Sequence, residues 1–325
     1  MRICIIGAGA IGGLLAVRLA DAGEDVTIVA RGAHLAAIRE RGLTLREEGR
    51  ETNARPRAAS DLTEVAGQDL VILGVKAHQV TPIAHQVPAM LSDDGLVLTA
   101  QNGIPWWYFF KHGGPHEGRV LESVDPGGVV AAALPVERVI GSVVYPAAEI
   151  VEPGVIQLIE GNRFSLGELD NRKSARIQAV SQAFTAAGFK APVVTDLRAE
   201  IWTKLWGNLS FNPISALSGA TLAGICRHPL GRALAGDMMR EAQNVGEALG
   251  VRFRIPLEKR LAGAEAVGEH KTSMLQDIEA KRPTEVAALV GSIIELGELV
   301  EVPTPAICAV YACVRLLENT LAQAP

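Results

Sequence analysis

The chain has 325 residues, 48% of them hydrophobic, and a formal net charge of −5. That length exceeds the size at which one hydrophobic core usually stops growing, so two domains are expected. The negative charge balance excludes the broad basic surface that nucleic acids and anionic lipids attract. Glycines, prolines and charges also interrupt every apolar run before the roughly 20 residues that span a bilayer.

The four cysteines form no CxxC pair, and no histidines accompany them at metal-ligand spacing. We therefore expect free thiols in the reducing cytoplasm and no metal site. Neither a nucleic-acid partner nor a membrane partner is expected.

Short β-branched runs alternate with helical segments over residues 1–195, which is typical of a parallel sheet covered on both faces. From residue 196 to 325, apolar residues recur at helical spacing instead. The sequence predicts an α/β protein with a doubly wound parallel sheet in residues 1–195 and an all-helical domain in residues 196–325. The predicted strands are 2–6, 25–30, 70–75, 95–100 and 139–144, and the predicted helices include 199–211, 230–249, 257–264 and 285–300.

The first predicted strand leads directly into a glycine-rich turn and then a helix. The turn is Gly7-Ala8-Gly9-Ala10-Ile11-Gly12. In a dinucleotide-binding turn the first glycine permits the tight bend, the second lets the backbone approach a pyrophosphate, and the third allows close helix packing. The helix N-terminus then presents free N–H groups to the anion. The order of elements predicts a Rossmann-like nucleotide site, and a structural turn without a ligand is the alternative.

The residue that follows the second strand indicates which dinucleotide is bound. Sites that prefer NAD usually place Asp or Glu there, to hold the ribose 2′-hydroxyl. This chain has Arg31, whose guanidinium can bind a 2′-phosphate through charge-assisted hydrogen bonds. NADP(H) is therefore the predicted cofactor, unless Arg31 is only a solvated surface charge.

Lys204, Asn208 and Asn212 are polar residues spaced four positions apart. The first two lie in the apolar helix predicted at 199–211, and Asn212 lies just beyond it. On a helix they share one face. Buried polar groups need partners, and a polar ligand could supply them. Desolvation would lower the lysine pKa towards the range useful for protonating a carbonyl oxygen. The alternative is a solvated lysine at the helix edge.

Two later segments have residues typical of helix N-termini. Ser273 with Gln276 matches an N-terminal capping box, and Glu285 after Thr284 matches an acidic first turn. These structural interpretations are sufficient by themselves, and helix starts are also suitable places to bind a carboxylate or hydroxyl.

Together these motifs resemble the ketopantoate reductases over most of the chain. The resemblance rests on the glycine turn, Val75-Lys76-Ala77, Gln101-Asn102-Gly103, the helix Trp-x-Lys-x-x-x-Asn-x-x-x-Asn-Pro, and Ser-Met-Leu-Gln-Asp with the following Thr-Glu. It implies NADPH-dependent reduction of 2-dehydropantoate to pantoate, a step of pantothenate biosynthesis.

The resemblance also implies residue roles. Lys204 would be the general acid, and Glu285 would bind the distal hydroxyl of the substrate. Asn208, Asn212, Ser273 and Asn102 would hold the substrate, while Lys76 and Asn102 would lie near the nicotinamide and its ribose.

Other interpretations remain open. A related 2-keto acid reductase or an opine-type dehydrogenase could share the two-domain plan, and a non-catalytic NADPH sensor would need only the glycine turn. The five aromatics from Trp106 to Phe110 depart from the polar helix usual in the family. They pack either as ordinary core or as a wall that favours another 2-keto acid. A homodimer is also left open, because the apolar face of residues 285–300 could be buried within the chain or between two chains.

Overall fold

The computed structural model describes residues 1–323. Its strands are β1 Arg2–Ile6, β2 Asp25–Val29, β3 Leu43–Glu47, β4 Arg50–Ala54, β5 Arg57–Ala59, β6 Gln68–Leu73, β7 Leu91–Thr99, β8 Val139–Val144, β9 Ala147–Glu152, β10 Val155–Glu160 and β11 Phe164–Glu168. Its helices are α1 Ala10–Asp21, α2 Gly32–Arg41, α3 Val87–Met90, α4 Val129–Ala133, α5 Ala175–Ala186, α6 Leu197–Ser218, α7 Leu222–Arg227, α8 Pro229–Ala248, α9 Leu257–Val267, α10 Ser273–Glu279, a π-helix Ala287–Gly291, α11 Ser292–Leu299 and α12 Pro305–Gln323.

The chain divides into two compact units at Leu197 and Arg198. Unit 1 contains residues 1–101, 106–120 and 127–197. Unit 2 contains the described residues from 198 to 323 together with the short segments 102–105 and 121–126. These two short segments lie inside the domain predicted for residues 1–195 but belong to the second unit. A single boundary along the sequence therefore does not separate the two units.

Unit 1 is built on a seven-stranded sheet with the order β11-β8-β7-β6-β1-β2-β5. All its pairings are parallel except that of β11 with β8. The β-branched and leucine residues of β1 and β6 are at most 4% exposed, as expected for parallel strands that are covered on both faces. The glycine turn therefore leaves the carboxyl end of a central strand, β1, which pairs with β2 on one side and β6 on the other.

A second sheet of unit 1, in the order β4-β3-β10-β9, was not predicted. Its strands carry many charged residues on the exposed face, as in Arg-Glu-Thr-Asn-Ala of β4. Their inward residues, among them Leu43, Leu45 and Ile156, join the core around α1. Gly13 of α1 admits this contact, because a Cβ there would lie 2.7 Å from Ile156.

Unit 2 is helical, and its long helix α6 is anchored by two tryptophans. Trp202 and Trp206 are buried, and both pack against Phe253, with ring centroids 6.0 and 4.8 Å apart. The indole N–H of Trp206 donates to the carbonyl of Met239 in α8 over 2.6 Å. These contacts fix the rotation of α6 about its axis and hence the direction of its polar face.

The segment predicted as one helix at 285–300 forms the π-helix followed by α11. Its apolar residues Leu289, Val290, Ile293 and Leu296 are at most 2% exposed within the single chain. The apolar face therefore has its partners inside unit 2, and its periodicity gives no reason to invoke a second chain. Within the described residues, every helix is too short or too polar to cross a lipid bilayer.

The aromatic run packs as core of unit 1. Trp107, Tyr108 and Phe109 are at most 1% exposed. The indole N–H of Trp107 donates to Thr99 Oγ1 over 2.9 Å, and its ring fills the space beside Gly141, where a Cβ would lie 2.6 Å from it. The packing favours the core interpretation over a wall that selects the substrate.

Candidate functional site

The glycine turn has the backbone geometry that a dinucleotide requires. Gly7 has φ of +104°, a conformation that L side chains rarely adopt. A Cβ at Gly12 would lie 1.9 Å from the carbonyl oxygen of Gly7, so only glycine lets α1 begin this close to the turn. A Cβ at Gly9 would meet nothing within 4 Å, which leaves open space where a pyrophosphate would approach the backbone.

A cavity of about 770 Å³ in unit 1 opens beside this turn. Arg31 lines it and is exposed at the N-cap of α2, in the position predicted to bind a 2′-phosphate. The wall combines apolar side chains with donors and acceptors, which fits a nucleotide cofactor. Its other lining residues include Gly7, Ala8, Gly9, Val29, His34, Ser60, Asp61, Val75, His78, Gln79, Pro82 and Ile83.

His34 lines this cavity one helical turn after Arg31, and no sequence motif singled it out. Its Nδ1 accepts a hydrogen bond from the Gly154 amide over 3.0 Å. Burial lowers the pKa of His34, and the nearby Ala8 carbonyl opposes that shift. Nδ1 is therefore kept unprotonated, so the neutral ring carries its proton on Nε2. In the sequence, His34 could have been found from its position three residues after Arg31, at the start of the same helix.

Three residues that are far apart in sequence meet in unit 2. The Lys204 ammonium donates to Asn102 Oδ1 over 2.6 Å. Asn102 Nδ2 in turn donates to Glu285 Oε2 over 3.0 Å. The asparagine thus bridges a cation and a carboxylate, and we call Lys204, Asn102 and Glu285 the trio.

Asn102 is fixed by its neighbours in the chain. Gly103 has φ of +87°, and a Cβ there would lie 2.3 Å from the carbonyl oxygen of Ala288. The Ile104 amide donates to that same oxygen over 3.0 Å. Ala288 belongs to the π-helix, an element that recurs at functional sites. The Asn102-Gly103 turn therefore packs directly against the π-helix, which begins two residues after Glu285.

Glu285 is fixed from the other side by the C-terminal helix α12. The Thr284 amide and hydroxyl both donate to Glu318 Oε1, over 2.9 and 2.7 Å. The Thr284 hydroxyl also accepts from the Val286 amide over 3.2 Å. The residues on both sides of Glu285 are thus held, which restricts where its carboxylate can lie.

The environment of Lys204 prepares it to give up a proton near neutral pH. Burial disfavours its ammonium form and lowers the pKa of Lys204 to about 8, while the negative charge of Glu285 opposes that shift. A lysine with this pKa is charged at pH 7 yet far more acidic than an exposed lysine. It can both stabilise a developing alkoxide and protonate it.

The remaining predicted residues take different positions. Asn208 and Asn212 follow Lys204 at four-residue spacing along α6, half-buried and buried respectively. Ser273 is the exposed first residue of α10, but the helix cap is Thr272, whose hydroxyl accepts from the Leu275 amide; the predicted capping box at Ser273 is wrong. Lys76 lies in unit 1 three residues beyond β6, where its amide donates to Gln79 Oε1.

The trio combines a proton donor with hydrogen-bonding groups, which suits carbonyl reduction. A lysine of lowered pKa is paired with an amide and a carboxylate, and the described residues contain no group of three or more His, Cys, Asp or Glu arranged to hold a metal ion. One proton donor beside hydrogen-bonding groups suits a polar substrate with a carbonyl oxygen.

Comparison with known proteins agrees with this chemistry. A family model described as "Ketopantoate reductase PanE/ApbA" matches residues 3–171, and its companion "Ketopantoate reductase PanE/ApbA C terminal" matches residues 196–318. A curated 2-dehydropantoate 2-reductase from Mesorhizobium japonicum is 56% identical over 98% of both chains. Another from Pyrococcus horikoshii is 29% identical, again over 98% of both.

Solved structures share the fold. A Ralstonia solanacearum protein assigned as a ketopantoate reductase has a TM-score of 0.93 at 40% identity, over 98% of both chains. A D-mandelate dehydrogenase solved with NADH and anilino(oxo)acetate has a TM-score of 0.85 at 23% identity, over 99% of this chain and 100% of that one. At that identity the likeness shows the fold alone.

Proposed function

This chain belongs to the ketopantoate reductase family, and we propose that it reduces the 2-keto group of 2-dehydropantoate with NADPH, using Lys204 as the general acid. The observation that carries the role of Lys204 is its hydrogen bond to Asn102 within the trio, together with a pKa lowered to about 8. The family membership supplies the substrate class and the type of reaction.

Each residue of the trio has a defined task in this reaction. The Lys204 ammonium donates a hydrogen bond to the keto oxygen and passes its proton to that oxygen as negative charge develops. Asn102 orients the ammonium through Oδ1. Glu285 accepts from Asn102 and keeps further lone pairs for the distal hydroxyl of the substrate. Solvent then returns a proton to Lys204.

The residues of unit 1 fit the cofactor. The open space at Gly9 would admit the pyrophosphate, Arg31 would bind the 2′-phosphate, and Lys76 is proposed to lie near the nicotinamide. Bound NADPH supplies the hydride for C2. Four free cysteines are consistent with the cytoplasm, where we place the protein. A homodimer stays an expectation, which sedimentation velocity tests.

A substrate panel tests the proposal. The purified protein is assayed for kcat/KM with 2-dehydropantoate and with unbranched and aromatic 2-keto acids, using NADPH and NADH. We expect 2-dehydropantoate with NADPH to have the highest kcat/KM. A preference for an aromatic 2-keto acid would instead support the alternative of a related reductase, and binding of NADPH without any turnover would support a sensor.

Replacing Arg31 with glutamine is expected to weaken NADPH binding about 10- to 100-fold, because a charge-assisted contact to the 2′-phosphate is lost. NADH has no such phosphate, so its Kd should stay within about twofold. Fluorescence titration of each reduced cofactor measures both. Arg50→Gln, which removes an exposed arginine of unit 1 outside the cavity, is the control. Equal losses for both cofactors would remove Arg31 from 2′-phosphate recognition.

Replacing Trp107 with leucine is expected to lower the free energy of unfolding by roughly 3 kcal/mol, because the change leaves a cavity and an unpaired Thr99 hydroxyl. The ranking of 2-keto acids should not change, since the ring is core. Denaturant unfolding and the substrate panel measure the two effects. A changed ranking at unchanged stability would show that the aromatic run selects the substrate.

A further inference from the structure

The C-terminal helix α12 packs antiparallel to the segment that starts beside Glu285. Tyr311 of α12 lies over Gly291 of the π-helix, where a Cβ would lie 3.2 Å from the tyrosine ring. Seven residues later in α12, Glu318 accepts hydrogen bonds from Thr284, which lies seven residues before Gly291. Two contacts with the same spacing in opposite directions fix the register of α12 on this segment.

α12 is itself held at its first turn. The amides of Ala306 and Ile307 donate to the two carboxylate oxygens of Glu241 in α8, over 2.9 and 3.0 Å. Its inward residues Ile307, Val310 and Val314 are at most 6% exposed. The helix is therefore a packed element of unit 2, and a side chain that it presents has a defined position.

Glu318, near the other end of α12, satisfies polar groups that are shielded from water. Thr284 is 5% exposed, and its amide and hydroxyl both donate to Glu318 Oε1. The second carboxylate oxygen lies 3.4 Å from Arg315 Nη1, and the Glu318 side chain is only 17% exposed. Hydrogen bonds to a carboxylate are strong, and buried donors without an acceptor are costly. The position of Thr284 therefore follows that of the carboxylate.

Thr284 in turn fixes the residue that follows it. Its hydroxyl accepts from the Val286 amide over 3.2 Å, and the Glu285 carbonyl accepts from the Leu289 amide over 3.0 Å. Helical hydrogen bonding thus begins at Glu285, directly after the anchored threonine. A shift of Thr284 would move the main chain of Glu285 and draw its carboxylate away from Asn102.

We propose that Glu318 is a positioning residue, which acts through Thr284 to set where the Glu285 carboxylate lies and how tightly the distal hydroxyl of the substrate is held. This inference rests on the proposed function, because it assumes that Glu285 binds that hydroxyl. Glu318 itself touches no substrate. What the site requires is a hydrogen-bond acceptor at a fixed reach from α12.

The first test compares 2-dehydropantoate with its deoxy analogue, which lacks only the distal hydroxyl. Glu318→Met has a side chain of similar length without the acceptor, so we expect KM for 2-dehydropantoate to rise about tenfold. The Ki of the deoxy analogue as a competitor should change less than about twofold, because it has no hydroxyl for Glu285 to hold. Glu298→Met, at an exposed glutamate of α11, is the matched control and should change neither constant.

The second test varies reach and charge separately. Glu318→Gln keeps the length and one acceptor oxygen, so KM for 2-dehydropantoate should stay within about threefold of the wild-type value. Glu318→Asp keeps the charge but is shorter by one methylene, so KM should rise as in Glu318→Met. A requirement for negative charge alone predicts the reverse order. If Glu318→Met does not fold, the order of these two variants decides.

A double mutant separates positioning from general packing. Glu285→Ala removes the group through which Glu318 is proposed to act, so adding Glu318→Asp should raise KM no further. A purely structural role of Glu318 predicts the same additional loss with or without the Glu285 carboxylate.

The outcomes also separate this inference from the proposed function. Unchanged KM in Glu318→Asp, or equal increases in KM for 2-dehydropantoate and Ki for the deoxy analogue, would overturn the role of Glu318 while the wild-type protein still reduces 2-dehydropantoate. Absence of turnover by the wild-type protein would overturn the proposed function itself, and the role of Glu318 with it.

Discussion

Replacing Lys204 with methionine is expected to lower kcat by about 10²- to 10⁴-fold, the usual range for removal of a general acid. The Kd of NADPH should remain within about twofold, because the cofactor cavity lies in unit 1 and Lys204 in unit 2. Single-turnover oxidation of NADPH with 2-dehydropantoate measures the loss at the chemical step.

Two further variants sharpen this result. Lys204→Arg keeps a positive charge but holds its proton too tightly to donate it, so its rate should also stay low. Lys259→Met removes an exposed lysine of the same unit and should leave kcat unchanged. Wild-type rates in Lys204→Arg would show that only the charge, and not the proton, is required.

Replacing Gly103 with alanine is expected to lower kcat about 10- to 100-fold. The new Cβ would lie 2.3 Å from the Ala288 carbonyl oxygen, so the turn must move and take Asn102 away from Lys204 and Glu285. A displacement of about 1 Å at a catalytic group can cost 100-fold in rate. Steady-state kinetics and NADPH titration measure the effect.

The control for Gly103 is Gly113→Ala. Gly113 also has positive φ, +71°, but a Cβ there would meet nothing within 4 Å. It therefore reports the backbone cost alone, which should reduce stability slightly and leave kcat unchanged. If both variants lose activity equally, the seating of the turn on the π-helix does not matter for catalysis.

The sequence predicted strand positions best where the hydrophobic pattern and the β-branched residue types agreed. β1 and β8 have the predicted bounds, because both strands are buried and rich in β-branched residues. The second sheet was missed because β3 and β4 alternate apolar residues with charges and are short. Such segments resemble surface loops until the covering helix, α1, is known.

The residue types of the proposed site could be predicted from the sequence, but their arrangement in space could not. Lys204, Asn102 and Glu285 are separated by 102 and 81 positions, and sequence spacing says nothing about hydrogen bonds over such distances. The π-helix escaped prediction because it resembles an ordinary helix in its apolar pattern.

The pH dependence of hydride transfer tests the central role of Lys204 most directly. Only the ammonium form donates a proton, so activity is present below the pKa of Lys204 and is lost as the pH rises through about 8. Because Glu285 raises that pKa, Glu285→Gln should move the alkaline limb to lower pH. Lys204→Arg should have no limb near pH 8.

Single-turnover rates with 2-dehydropantoate and saturating NADPH, measured from pH 6 to pH 10 in the three proteins, decide the matter. The predicted result is a wild-type limb near pH 8, a limb at lower pH in Glu285→Gln, and a flat, low profile in Lys204→Arg. An alkaline limb that stays in place in Glu285→Gln and persists in Lys204→Arg would contradict Lys204 as the proton donor.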